Sequence, residues 1–111
     1  MRDYSIYLKD IIINIDAVRS FISNMSYAEF VQDKKTNYSV VRCLEIIGEA
    51  SKHIPATIRN KYPEVPWKAI AGTRNIIVHD YADVDLKEVW ETVVSDLAPL
   101  REQIEKILSD R

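Results

Sequence analysis

The stretch Asp85-Leu86-Lys87-Glu88-Val89-Trp90-Glu91-Thr92-Val93-Val94-Ser95-Asp96-Leu97-Ala98-Pro99-Leu100-Arg101-Glu102-Gln103-Ile104-Glu105-Lys106-Ile107-Leu108 carries the plainest pattern in the chain. Its apolar residues, from Leu86, Val89 and Trp90 through Val93, Val94, Leu97 and Leu100 to Ile104, Ile107 and Leu108, recur in steps that collect on one side of a helix. Asp85 with Glu88 three residues on satisfies amides at a helix start. Pro99 predicts a kink in this long helix.

The same periodicity extends upstream. From Tyr4 to about Ile22, Leu8, Ile11, Ile12, Ile15, Val18 and Ile22 define a first helix. Ser26-Tyr27-Ala28-Glu29 has the capping-box arrangement for a short second helix, expected to fade in Asp33-Lys34-Lys35. Val40, Leu44, Ile47 and Ser51 mark a third helix from about Tyr38 to His53, which Pro55 stops. Pro55 to Tyr62 reads as one or two loose helical turns. Pro66 suits the first turn of a fourth helix from Trp67 to about His79, because its missing N–H would have lacked a helical partner. Nothing alternates with period two, so the expectation is an all-α antiparallel bundle of about five helices, one domain over residues 1–111.

Composition narrows the function. The 47% apolar and 29% charged residues are those of an ordinary globular chain, and a net charge of −2 lacks the basic footprint of a general nucleic-acid binder. Any RNA must therefore be held by a local basic cleft. Cys43 is the only cysteine and there are two histidines, so an intrachain disulfide is excluded, and no structural metal site and no cofactor is expected. Neither a leader nor a membrane span is expected, and a reducing cytoplasm fits the cysteine usage.

Chemical content concentrates in Arg74-Asn75-Ile76-Ile77-Val78-His79-Asp80-Tyr81, where polar and ionisable residues bracket an apolar triplet. Asn75 and His79 lie nearly above one another on a helix, whereas Arg74 and His79 point about 140° apart. That mismatch suggests a site assembled from two copies of the segment at a two-fold axis. Histidine can take the proton of a ribose 2′-OH or give one to a leaving 5′-oxygen, and arginine presents a charged fork to a phosphate. Asn75 can orient the imidazole or the phosphate, and Tyr81 can contact a base or phosphate or instead pack at the core edge on Trp67 or Trp90. On this chemistry only RNA is cut.

Arg74-x4-His79 with Asn75 after the arginine resembles the R-x4-6-H motif of the HEPN ribonuclease superfamily, and His79-x-Tyr81 resembles its HepT branch. Leu44-Glu45-Ile46-Ile47-Gly48-Glu49-Ala50 is similar to that branch's mid-chain helix, and Pro63-Glu64-Val65-Pro66-Trp67 to its lead-in to the catalytic helix. The resemblance spans nearly the whole chain. It implies a homodimeric, metal-independent endoribonuclease toxin with Arg74, Asn75 and His79 as catalytic residues in a cleft between protomers. It also implies a nucleotidyltransferase antitoxin of the MntA type that attaches AMP to Tyr81, where an anionic adduct would block the groove.

The competing reading is a non-catalytic helical module that binds nucleotide or RNA and regulates a neighbouring nucleotidyltransferase; a purely structural dimer is a third. Other polar residues read more plainly. Glu45 and Glu49 look like carboxylates paired within their own helix, Gly48 a site of close helix approach, with the dimer contact as one place for it, His53 a helix-end residue, Cys43 a small buried or interface side chain, and Trp67 and Trp90 core residues. Lys34-Lys35 and Arg59-Lys61 read as solvated surface, the second pair near enough to the motif to be worth testing.

Overall fold

The computed structural model describes residues 3–78 and 85–110, with the side chains of residues 73–78 outside that description. Among the described residues there are seven helices and no strand: α1 Ser5–Phe21, α2 Tyr27–Gln32, α3 Lys34–Lys52, α4 Ala56–Lys61, α5 Trp67–Val78, α6 Leu86–Ser95 and α7 Leu97–Ser109. The all-α bundle holds, and the difference from five helices has local causes.

Helix α2 carries the expected capping box, Ser26 Oγ accepting from Glu29 N at 3.1 Å and Glu29 Oε1 from Ser26 N at 2.9 Å. The third helix starts four residues earlier than its apolar stripe suggested. Asp33 ends α2 and at once caps α3, its carboxylate accepting from Thr36 N at 3.0 Å, so Lys34 and Lys35 lie in a first helical turn. Pro66 precedes α5 by one residue and supplies the carbonyl that Ile70 N bonds at 3.0 Å. The long last helix breaks at Asp96, one turn before Pro99, because a proline cannot donate to the carbonyl four residues back.

The core is shared. Leu8, Ile11, Ile15 and Val18 of α1 meet Val40, Leu44 and Ile47 of α3 and Leu97, Leu100, Ile104 and Ile107 of α7 in one buried cluster. Phe30 of α2 and Val89 and Val93 of α6 complete it, with Trp90 packed 5.1 Å from the Phe30 ring. Both tryptophans are partly buried against this core, as the periodicity required. Gly48 is buried within a single chain, consistent with close helix approach. No described helix is long and apolar enough to cross a membrane.

Candidate functional site

The helix that carries the Arg74 motif is seated by the residues before it. Tyr62, only 6% exposed, donates its hydroxyl to Asp110 Oδ2 at 2.8 Å, and its carbonyl accepts from Trp67 Nε1 at 3.0 Å. Gln103 of α7 donates to the Glu64 carbonyl at 3.1 Å, and Val65 is buried. The chain on both sides of Pro63 is thus fastened, Tyr62 to the residue that closes α7 and Glu64 to α7 itself, before α5 begins.

The start of α5 faces α3 across a groove of about 480 Å³ that Leu44, Ile47, Pro66, Ala69, Ile70 and Leu100 help to line. Helix α5, 12 residues and about 18 Å long, packs extensively against α3. The backbone of α5 stays helical through Val78, which places Arg74 and Asn75 in its second half. Their side chains lie outside the described residues, as do His79 and Tyr81 altogether.

Gly72 sits just before the motif, and a Cβ added there would meet no atom within 4 Å. Glycine inside a helix costs about 1 kcal/mol relative to alanine. Nothing described in the single chain calls for its smallness.

The remaining candidates fall where their plainer readings put them. His53 closes α3 and stacks on Tyr7, ring centroids 4.6 Å apart at 15°. Glu45 lies 3.8 Å from Arg42 on its own helix, the i,i+3 pairing expected. Cys43 is buried, and burial pushes its thiol above the ordinary range, leaving it a poor nucleophile. No group of three or more potential metal ligands occurs among the described residues. Sequence reading passed over Asn37, 3% exposed, which donates to the Phe30 carbonyl at 3.1 Å and so ties α2 to α3. Its one signal was a polar residue three before Val40 on the apolar face.

Comparison with known proteins agrees with this architecture. The model of the family described as ribonuclease HepT-like matches residues 11–107. A Methanocaldococcus jannaschii protein named as a candidate RNase is 45% identical over 109 residues, 98% of this chain and 90% of that protein. A Thermococcus cleftensis protein named a probable ribonuclease HepT is 40% identical over 106 residues, 96% of each chain. A Caldanaerobacter subterraneus protein, also named as a candidate RNase, is 37% identical over 102 residues, 92% of this chain and 91% of its own length. No solved structure matches significantly.

Proposed function

The chain belongs to the HepT-like ribonuclease family, and on that premise we propose that it is a metal-independent endoribonuclease toxin acting as a homodimer. One observation carries the reading: Arg74, Asn75 and His79 stand at the R-x4-H spacing inside the matched span, on or directly after a helix anchored by its lead-in. The match over residues 11–107 supports treating the chain as a single domain.

In the proposed reaction the ribose 2′-oxygen attacks the adjacent phosphorus while the bond to the 5′-oxygen breaks, leaving a 2′,3′-cyclic phosphate and a 5′-hydroxyl. With two chains around one groove, one His79 accepts the 2′-OH proton and the other donates a proton to the leaving oxygen. Arg74 neutralises the charge that builds on the phosphate, and Asn75 orients the imidazole or the phosphate. The unfilled space at Gly72 supports the close approach of a second molecule beside this segment.

We also place a nucleotidyltransferase antitoxin of the MntA type beside the toxin, with Tyr81 as the residue it modifies with AMP. A bulky anion two residues from His79 repels an incoming phosphate. The experiment is direct: purified protein is incubated with RNA in EDTA and the ends are analysed. Cleavage to cyclic phosphate ends that persists in EDTA and disappears in His79→Ala is expected. Loss of activity in EDTA, or full activity in His79→Ala, overturns the mechanism. RNA binding without any cleavage by the wild type favours the non-catalytic module instead.

A further inference from the structure

Lys34-Lys35 reads from sequence as solvated surface; the earlier start of α3 gives the pair a different meaning. Within α3, Lys35, Tyr38 and Arg42 fall inside about 60° of one another, spread over about 10 Å of helix axis. All three are exposed, and Tyr38 is the most exposed large apolar side chain described, at 72%. Lys34 stands one turn before Tyr38 on its other flank. The other described tyrosines have ring partners or burial: Tyr4 packs partly buried against the core, Tyr7 stacks on His53, Tyr27 lies 6.1 Å from Trp90, and Tyr62 is buried.

Positive charge gathers at the N-terminal end of this face, around Tyr38; beyond Arg42 the same face turns acidic, with Glu45 and Glu49 one and two turns on and Asp10 lining the same hollow as Arg42. The nearest upstream carboxylates, Glu29 and Asp33, are bent onto backbone amides as caps. Neither lysine forms a salt bridge among the described residues, and Arg42, its side chain 70% exposed, meets Glu45 only at 3.8 Å. The other basic pair is used internally. Arg59 Nε donates to the Ile54 carbonyl at 3.1 Å, and Lys61 lies 5.8 Å from the Tyr62 ring centroid.

We propose that this face of α3 is a binding track for single-stranded RNA, with a base stacked on Tyr38 and flanking phosphates held by Lys34, Lys35 and Arg42. An exposed ring between cations is the arrangement that holds an unpaired strand: every base has a face to stack, and each phosphate meets a positive charge. A chain of net charge −2 has no general attraction for RNA, so a local cluster must supply it. Helix α5, which carries Arg74 and Asn75, packs on the side of α3 that bears Leu44 and Ile47, roughly opposite Tyr38 around the helix, so an RNA on the track reaches the motif helix by passing around α3. The choice of RNA as occupant rests on the ribonuclease reading above.

The test uses binding in a cleavage-deficient background, so that the track and the chemistry can fail separately. A fluorescent single-stranded oligoribonucleotide is titrated into full-length His79→Ala protein by anisotropy at several salt concentrations. Adding Tyr38→Ala weakens binding about 5- to 150-fold, with Tyr38→Phe close to the parent. Adding Lys35→Ala and Arg42→Ala together lowers the salt slope by about 1.4. Thermal unfolding of each variant shows that the exposed substitutions leave the fold intact. Unchanged affinity in Tyr38→Ala overturns the track even if the wild type cleaves RNA. A Tyr38→Ala protein whose mass by light scattering drops to that of a monomer also overturns it, because the face is then covered by a second copy. Weakened binding in a protein whose wild type never cleaves upholds the track and removes the nuclease reading.

Discussion

Arg101 of α7 grips Asp16 of α1 with two hydrogen bonds, Nε to Oδ1 at 2.7 Å and Nη2 to Oδ2 at 3.1 Å. Glu105 steadies the same guanidinium from 3.1 Å. The hydrogen bond from Arg101 holds the Asp16 carboxyl below its ordinary value. Since the two side chains are 30% and 49% exposed, solvent screening keeps the pair's contribution small. A depressed carboxylate stabilises fully above its unfolded value near about 4 and loses that contribution as pH falls through the lower folded value. Asp16→Asn should therefore lower the melting temperature by a few degrees at pH 7, and the gap should close near pH 2. An equal gap at both pH values would rule out the ionic origin.

Asn37 makes a different kind of bond, buried between α2 and α3. Besides the Phe30 carbonyl it reaches that of Val31 at 3.4 Å. Asn37→Ala removes both bonds and leaves the Phe30 carbonyl only its 3.3 Å bond from Asp33 N, and is expected to cost about 0.5–1.5 kcal/mol in urea unfolding. Asn37→Asp should cost more, since a carboxylate would face carbonyl oxygens. An Asn37→Ala protein as stable as wild type would show that α2 is held by its apolar contacts alone.

Gly72→Ala separates folding from function. With no atom within 4 Å of the new methyl group, the substitution should raise stability by up to about 1 kcal/mol through helix propensity. If the open space receives a second molecule, RNA cleavage should fall while melting temperature rises. Stabilisation with full activity would leave the glycine without a role in the proposed cleft.

Tyr81 is expected to gain the mass of one AMP when the chain is incubated with ATP and its cognate nucleotidyltransferase, and the modified protein should no longer cut RNA. Tyr81→Phe should stay unlabelled and remain active in the presence of the transferase. Equal labelling of Tyr81→Phe would move the modification to another residue.

Helix identity was legible because its causes are local: apolar steps of three and four, and caps such as Ser26 with Glu29 and Asp85 with Glu88, act within one or two turns. Asp85 does accept from Lys87 N and Glu88 N, both at 3.1 Å. Boundaries were less legible where one residue served two helices. Asp33 ends α2 and caps α3, and that double use hid the helical placement of Lys34 and Lys35. The candidate site was legible as spacing, since Arg74-x4-His79 is a pattern along the chain. Which side chains meet there was not, because His79, Tyr81 and the side chains of Arg74 and Asn75 lie outside the described residues.

Sequence alone determined that the described residues are helical and which amphipathic faces build the core, and it offered the segment from Arg74 to Tyr81 as the candidate place for chemistry. Tertiary structure decided which distant groups meet: Arg101 with Asp16 across 85 residues, and Tyr62 with Asp110 across 48. It also decided that Tyr38 stays in water between cations while the aromatic rings of Phe30 and Trp90 pack together. The physical reason is range. Periodicity and capping depend on neighbours within a few residues, whereas a hydrogen bond between helices depends on how whole apolar faces pack, and that is set only when every helix is in place.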